Sequence, residues 1–309
     1  MVTAFQVSSS AAVIRNTGGR SEEMGVGFQS HPSFAYRGGM SDQANEVWAV
    51  GDAYEAYVGR WSRLAAREFV EWLGMASGLR WLDVGCGTGA LSQAVLDICA
   101  PAMLVGIDPS EGFVTHVRRH AADPRAEFRI GDARALPIGD GAFDVAVSGL
   151  VLNFVADHAK AVAEMSRAVR PRTGVVAAYV WDYAGDMQMM RQFWDAAVAL
   201  DPAARDIDEG ARFPLCRPEP LRDLFAGAGL VEVDVRAVDV PAVFRNFDDY
   251  WSPFLGGQGP APGYCMSLPE ERRHALRERL RGILPSGPDG GIRLTARAWA
   301  VRGRKRSDA

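Results

Sequence analysis

Residues 81–90, "WLDVGCGTGA", decide the fold. A short apolar run ends in three glycines, Gly85, Gly87 and Gly89. Trp81, Leu82 and Val84 in succession read as a strand buried on both faces, the habit of parallel sheets. Glycines let the backbone take positive φ and keep Cβ atoms away from an approaching group. Behind them, residues 88–99, "TGALSQAVLDIC", carry apolar residues at helical spacing. A glycine-rich turn between strand and helix lies at the strand's carboxyl end, where open α/β sheets bind ligands.

The details of the turn limit what that ligand is. A phosphate-binding P-loop ends in Gly-Lys-Ser/Thr, and this turn contains no lysine. The dinucleotide fingerprint is G-x-G-x-x-G or A. Here the third glycine comes one residue early, although Ala90 keeps a dinucleotide arguable. Asp83 precedes the first glycine by two residues. A carboxylate aimed into the cleft repels a pyrophosphate and suits an ammonium or a sulfonium; the alternative is that it only stiffens the loop by accepting from the loop's own amides.

The same alternation continues outward. "MLVGID" (103–108) reads as a strand, and "SEGFVTHVRRHA" (110–121) as a helix with Ser110 as N-cap and Glu111 in its first turn. "AEFRI" (126–130), "FDVAVS" (143–148) and "GVVAAYVW" (174–181) read as strands, and "DHAKAVAEMSRAVR" (157–170) as a helix closed by Pro171. Strands alternating with helices mean a parallel sheet with right-handed crossovers. Residues 187–200 and 218–229 have helical patterns. Residues 230–240 and 292–301 alternate apolar and polar, as edge or antiparallel strands do. Upstream, residues 54–74 form one more helical pattern, stopped by Gly74.

Two further carboxylates follow strand ends. Asp108 closes the second strand about 20 residues past the loop, the position that accepts from both ribose hydroxyls of a bound nucleoside. Asp132 follows the third strand, where it takes the exocyclic amine of an adenine while the Ala133 amide meets a ring nitrogen. Its alternative is a place in the turn after Gly131.

Composition removes other classes. The chain has 309 residues, 48% hydrophobic and 23% charged, with 34 basic against 38 acidic side chains. A net charge of −4 speaks against a general nucleic-acid or membrane-surface binder, which needs a basic face. No apolar run approaches the roughly 18 residues of a membrane helix, and the N-terminus lacks a secretory pattern. Cys86, Cys99, Cys216 and Cys265 show no C-x-x-C spacing. Reduced thiols and a cytoplasmic location are expected. Residues 1–44 are expected to be disordered or loosely attached, with Met24 and Met40 as possible starts. Residues 45–302 are expected to form one domain, with 241–285 an insertion and candidate substrate lid, and 303–309 a basic tail.

Together "LDVGCGTG" (82–89), "VGIDPS" (105–110), "GDARALP" (131–137) and "FDVAVSGLVLNF" (143–154) resemble the class I S-adenosylmethionine-dependent methyltransferases, in the small-molecule branch that includes the ubiquinone/menaquinone-biosynthesis type. The resemblance covers about residues 50–302. It implies a three-layer, Rossmann-like α/β fold with a seven-stranded sheet in the order 3-2-1-4-5-7-6, strand 7 antiparallel. It implies S-adenosylmethionine as cofactor and in-line methyl transfer to a small molecule, with no nucleic-acid or membrane partner. By position, Asp83, Gly85, Gly87 and Gly89 line the methionine and ribose end, Asp108 binds the ribose, and Asp132 with Ala133 binds the adenine. Ser148 to Leu150 flank the sulfonium. Arg60, with Tyr54 or Tyr57 beside it, is the candidate for the methionine carboxylate.

The acceptor side is less marked. Asn153, His158, Asp182 and Tyr183 lie near the carboxyl ends of strands four and five, with Asp182 the first choice for a base if one is needed. Phe154, Trp181, Tyr183, Phe247, Tyr250, Trp251 and Phe254 are candidates for an apolar acceptor pocket. His116 and His120 stand four apart on a helix but lack a third ligand, so no metal is expected. The oligomeric state is not legible. Two rivals stay open: an NAD-dependent oxidoreductase and a non-catalytic S-adenosylmethionine-binding module.

Overall fold

A computed structural model describes residues 59–306 apart from Gln258. The segment 1–44, Tyr54, Tyr57 and the last three residues of the expected tail lie outside the described residues. The first helix, α1 (Arg60–Leu73), turns Trp61, Ala65 and Phe69 inward at four-residue spacing and stops at Gly74, which takes φ +59°. Then come β1 (Arg80–Val84), α2 (Ala90–Cys99), β2 (Met103–Asp108), α3 (Glu111–His120), β3 (Ala126–Ile130) and β4 (Val145–Gly149). They are followed by α4 (His158–Ala168), β5 (Val175–Trp181), α5 (Gln188–Leu200), α6 (Glu209–Arg212) and α7 (Pro218–Gly227). The chain closes with β6 (Leu230–Phe244), α8 (Phe247–Trp251), α9 (Pro260–Ser267), α10 (Glu270–Ile283) and β7 (Ile292–Lys305).

The sheet has seven strands in the order β3-β2-β1-β4-β5-β7-β6. Strands β1 to β5 run parallel, and β7 is antiparallel to both neighbours. This is the order and direction the resemblance implies. The chain moves outward from β1 through β2 to β3, then returns to the other side of β1 with β4. That reversal separates the loops after β1 and β4 and opens a crevice between them. The apolar runs explain the burial: every residue of β5 is buried, as are Trp81 to Val84. Helix α1 packs on α2 and on β6, with Phe69 against Tyr179 at 4.7 Å and Trp61 against Phe244 at 5.2 Å between ring centres. Among the described residues no helix is long and apolar enough to cross a membrane.

Two boundaries differ from expectation. The segment 241–285 begins as the last residues of β6, and its aromatics fill the core. Tyr250 and Phe254 are fully buried, Phe254 stacks on Phe193 of α5 at 4.4 Å, and the Tyr250 hydroxyl donates to the Met189 carbonyl at 2.9 Å. Trp181 and Trp251 are buried too. Tyr250 and Phe254 thus tie the segment after β6 to α5 as core. The basic tail, in turn, starts inside a strand. Gly303 pairs with Val176, Arg304 with Val175, and Lys305 with Leu230. The Lys305 ammonium donates to the carbonyls of Arg167 and Val169.

Truncation after Arg302 therefore removes sheet, not solvated tail. At about 1 kcal/mol per hydrogen bond the loss is on the order of 2–3 kcal/mol. Thermal melting is expected to show a midpoint lower by about 4–10 °C; an unchanged midpoint refutes the pairing.

Candidate functional site

All three loop glycines take positive φ: +77° at Gly85, +51° at Gly87 and +91° at Gly89. They serve different ends. A Cβ on Gly85 would stand 2.5 Å from Val151, and one on Gly89 would stand 2.6 Å from Val117. Those two let the loop press against the segment after β4 and against α3. A Cβ on Gly87 would meet nothing within 4 Å. Gly87 is thus the point at which the backbone offers itself to a group from outside.

Two carboxylates stand beside it. Asp108 accepts from the Gly87 amide at 3.0 Å and from the Ser110 amide at 2.9 Å, while Ser110 caps α3 by accepting from the Phe113 amide. Burial raises the Asp108 pKa against the pull of those amides. Asp83 is completely buried; one oxygen accepts from the Ser92 hydroxyl at 2.7 Å, and Oδ1 has no partner among the described residues. Burial first, and the Asp108 charge to a lesser degree, push the Asp83 carboxyl up to about 7. Neither carboxylate has a cationic side chain for a partner among the described residues. The Asp83 hydrogen bond goes to the first turn of α2, not to loop amides.

Asp132 behaves differently. It is half-exposed and chelated by Arg134 at 2.6 to 3.1 Å, which holds its pKa below the usual range. Its backbone carbonyl also accepts from Ala135, so it belongs to a turn after Gly131 as well as facing outward. Ala133 beside it is nearly buried. The Arg134 clamp was not anticipated, although an Asp-x-Arg spacing in a turn is the signal for it.

After β4 the chain turns sharply. The Ser148 hydroxyl is buried and donates to the Val84 carbonyl at 2.8 Å, so it ties β4 to β1 instead of facing the crevice. Leu150 takes φ +63°, uncommon for a branched residue, and its amide donates to Tyr179. Asn153 follows in a short 3-10 turn; it is buried, and its Nδ2 has no partner among the described residues. Beyond it Phe154 meets Phe213 edge-on at 5.2 Å, and Phe213 meets Tyr183 at 5.8 Å. Phe213 went unread in the sequence because "ARFPLC" has no periodicity to give it a face.

The remaining candidates are committed elsewhere. Arg60 pairs with Asp249 at 3.6 Å and lies over Trp61 and Phe244. This puts it by the end of β6, four strands from β1 in the sheet order, not at the loop. Asp182 accepts from the Asp186 amide at 2.9 Å, and its carboxylate fills the space beside Gly185, so it organises the turn after β5. His158 opens α4, with Nδ1 2.8 Å from the Val155 carbonyl. The His116 and His120 rings lie 4.3 Å apart, tilted by 30°, and no group of three or more metal-ligating side chains occurs among the described residues.

The buried Asp83 gives a pH signature. Folded, it keeps its proton to about pH 7; unfolded, it loses it near pH 4. Between these values the folded chain binds more protons, so this group's contribution to stability declines as pH rises and is lost above about 7. Without cofactor, Asp83→Asn is expected to gain on the unaltered chain by about 2–3 kcal/mol between pH 5 and pH 8, at 1.36 kcal/mol per pKa unit. Glu209, also buried and pushed up to about 7, cancels in the difference. Chemical denaturation across that range tests this, and a flat difference refutes it.

A methyltransferase-domain family model matches residues 82–177. A demethylmenaquinone methyltransferase from Renibacterium salmoninarum is 35% identical over 137 residues, 44% of this chain and 52% of that protein. Another from Roseiflexus sp. RS-1 is 31% identical over 177 residues, 53% of this chain and 72% of that protein. The chain spans between 27% and 56% of the length of the first three curated relatives it matches. The fold is shared with Haemonchus contortus phosphoethanolamine N-methyltransferase 2, solved with S-adenosyl-L-methionine: TM-score 0.55 at 14% identity, over 88% of this chain and 61% of that one. By family model, relatives and fold together, the chain belongs to the class I S-adenosylmethionine-dependent methyltransferases.

Proposed function

We propose that this chain transfers a methyl group from S-adenosylmethionine to a small, partly apolar molecule by in-line displacement. The observation that carries the reading is the open face of Gly87 between two buried carboxylates that lack cationic partners. Such a place suits an adenosine derivative that is cationic and carries no phosphate. A pyrophosphate there would face Asp83 and Asp108 with no compensating charge, and desolvation would strengthen the repulsion.

Bound, the cofactor supplies a methyl group on a cationic sulfur. The chain's own residues do the rest. Asp108, fixed by two amides, has lone pairs left to accept from ribose hydroxyls. The unpartnered Oδ1 of Asp83 suits the positive, methionine end of the ligand. Asp132 and the Ala133 amide suit the adenine, with Arg134 fixing the carboxylate plane. Leu150 and Val151 keep water from the crevice. Asn153, with an amide N–H to spare, is the group best suited to hold an acceptor oxygen. Phe154, Tyr183 and Phe213 give that side an apolar wall. The demethylmenaquinone methyltransferases among the relatives support an acceptor of this kind. Positioning alone is able to supply much of the rate, and a base is needed only where the acceptor's proton has a high pKa.

Thermal-shift titration tests the reading. S-adenosylmethionine and S-adenosylhomocysteine are expected to stabilise the chain; stabilisation by NAD alone overturns the proposal. Asp108→Ala is expected to weaken S-adenosylhomocysteine binding at least tenfold, a loss of about 1.4 kcal/mol. Labelled methyl transfer into cell extract, with mass spectrometry of the product, identifies the acceptor. Asn153→Ala is then expected to lower kcat/KM about tenfold with cofactor affinity unchanged. Cofactor binding with no product in any extract points instead to a non-catalytic binding module.

A further inference from the structure

Apart from the glycine loop lies a cleft of about 460 Å³, within the range of small-molecule sites. It runs between one face of α5 and residues 205–217, and no residue of the glycine loop lines it. Three guanidinium groups face two carboxylates there. Arg191 is fully engaged: it donates to Asp195 at 2.9 Å, to Asp208 at 2.7 Å and to the Tyr183 carbonyl at 3.3 Å. That one cation neutralises much of the field of both acids. Arg205 and Arg217 also line the cleft, and neither guanidinium group has a hydrogen-bond or ion-pair partner among the described residues.

The floor is made of small residues, and one of them is constrained. A Cβ on Gly210 would stand 2.7 Å from Arg191 Nη1 and 2.9 Å from the Tyr183 carbonyl. Glycine there lets α6 close against the turn after β5 and keeps Asp208 in register with Arg191. Ala184, Val198, Ala199 and Ala211 add an apolar surface beside the two uncommitted arginines. Arg and carboxylate or phosphate make planar, two-pronged pairs about twice as strong as neutral hydrogen bonds. The cleft is open to solvent and sized for one small molecule, with Arg205 and Arg217 exposed at its edge; in a chain of net charge −4 a polyanion is a poor match.

We infer that this cleft binds a small molecule with an oxyanion at one end, held by Arg205 and Arg217, and a short apolar body. The inference does not depend on methyl transfer. Phenyl phosphate is the probe, titrated calorimetrically into the full chain. The double variant Arg205→Ser, Arg217→Ser is expected to bind it at least tenfold more weakly, while S-adenosylhomocysteine binding stays as in the unaltered chain. Arg279→Ser, an exposed arginine on α10, is the control and is expected to bind the probe normally. A loss below tenfold in the double variant, an equal loss in the control, or no binding to the unaltered chain overturns the inference. Failure of S-adenosylhomocysteine to bind the unaltered chain bears on the proposed function alone.

Discussion

The loop after β1 is strapped to the end of β2, and the site depends on that strap. The amides of Gly85 and Cys86 both donate to the Ile107 carbonyl, at 2.7 and 3.1 Å, and the Gly87 amide donates to the Asp108 carboxylate at 3.0 Å. Three consecutive amides thus turn toward the neighbouring strand. A chain can present them this way only by leaving the extended conformation at once, which is why Gly85, Gly87 and Gly89 all sit at positive φ. Parallel pairing of Val84 with Ile107 sets the register from which the strap is reached. Because Asp108 also accepts from Ser110, the same carboxylate fixes the loop and the start of α3. Sheet order, loop shape and carboxylate position are one arrangement.

That arrangement is electrostatically costly without a ligand. Asp83 and Asp108 are buried near one another: desolvation raises both pKa values, the Asp108 charge adds to the rise at Asp83, and Asp108 is held only by neutral amide donors. One oxygen of Asp83 has nothing to bond. Buried polar groups left unsatisfied cost about 1–3 kcal/mol each, more when charged. A cationic group docking beside Gly87 relieves both the missing partner and the like-charge repulsion. On the proposed function, cofactor binding and folding stability are coupled through Asp83.

Much of this was legible because the signals were local. β2, β4 and β5 read as near-continuous apolar runs, Ser110 stood where a cap belongs, and the loop glycines stood together. What went unread depends on contacts between distant segments. The alternation of the last strand ends at Val301, after which Gly303, Arg304 and Lys305 look solvated. They are strand because Arg302 and Arg304 lie on the exposed face opposite Asp234 and Glu232, while Gly303 packs on Leu230. Arg60 looked available, yet Asp249, nearly 190 residues later, claims it. Ser148 looked like a crevice residue, but period-two alternation along β4 sends its hydroxyl to Val84. The aromatics of 247–254 read equally well as pocket or core, and only the stacking of Phe254 on Phe193 decides for core.

The placement of arginine follows from the same physics. Many carboxylates outside the glycine loop have a guanidinium beside them: Asp132 with Arg134, Glu164 with Arg167, Asp208 with Arg191, Asp239 with Arg297. Asp83 and Asp108 do not. A guanidinium at about 4 Å would interact with either by about 4 kcal/mol at an effective dielectric near 20. It would pull the carboxyl pKa down, satisfy Oδ1 of Asp83, and leave an incoming cation nothing to gain. Arg191, spent on two acids and a carbonyl, shows what such internal satisfaction looks like on α5, the helix after β5. On the proposed function, selectivity for a cationic ligand at the glycine loop rests on what the chain withholds there as much as on the carboxylates it supplies.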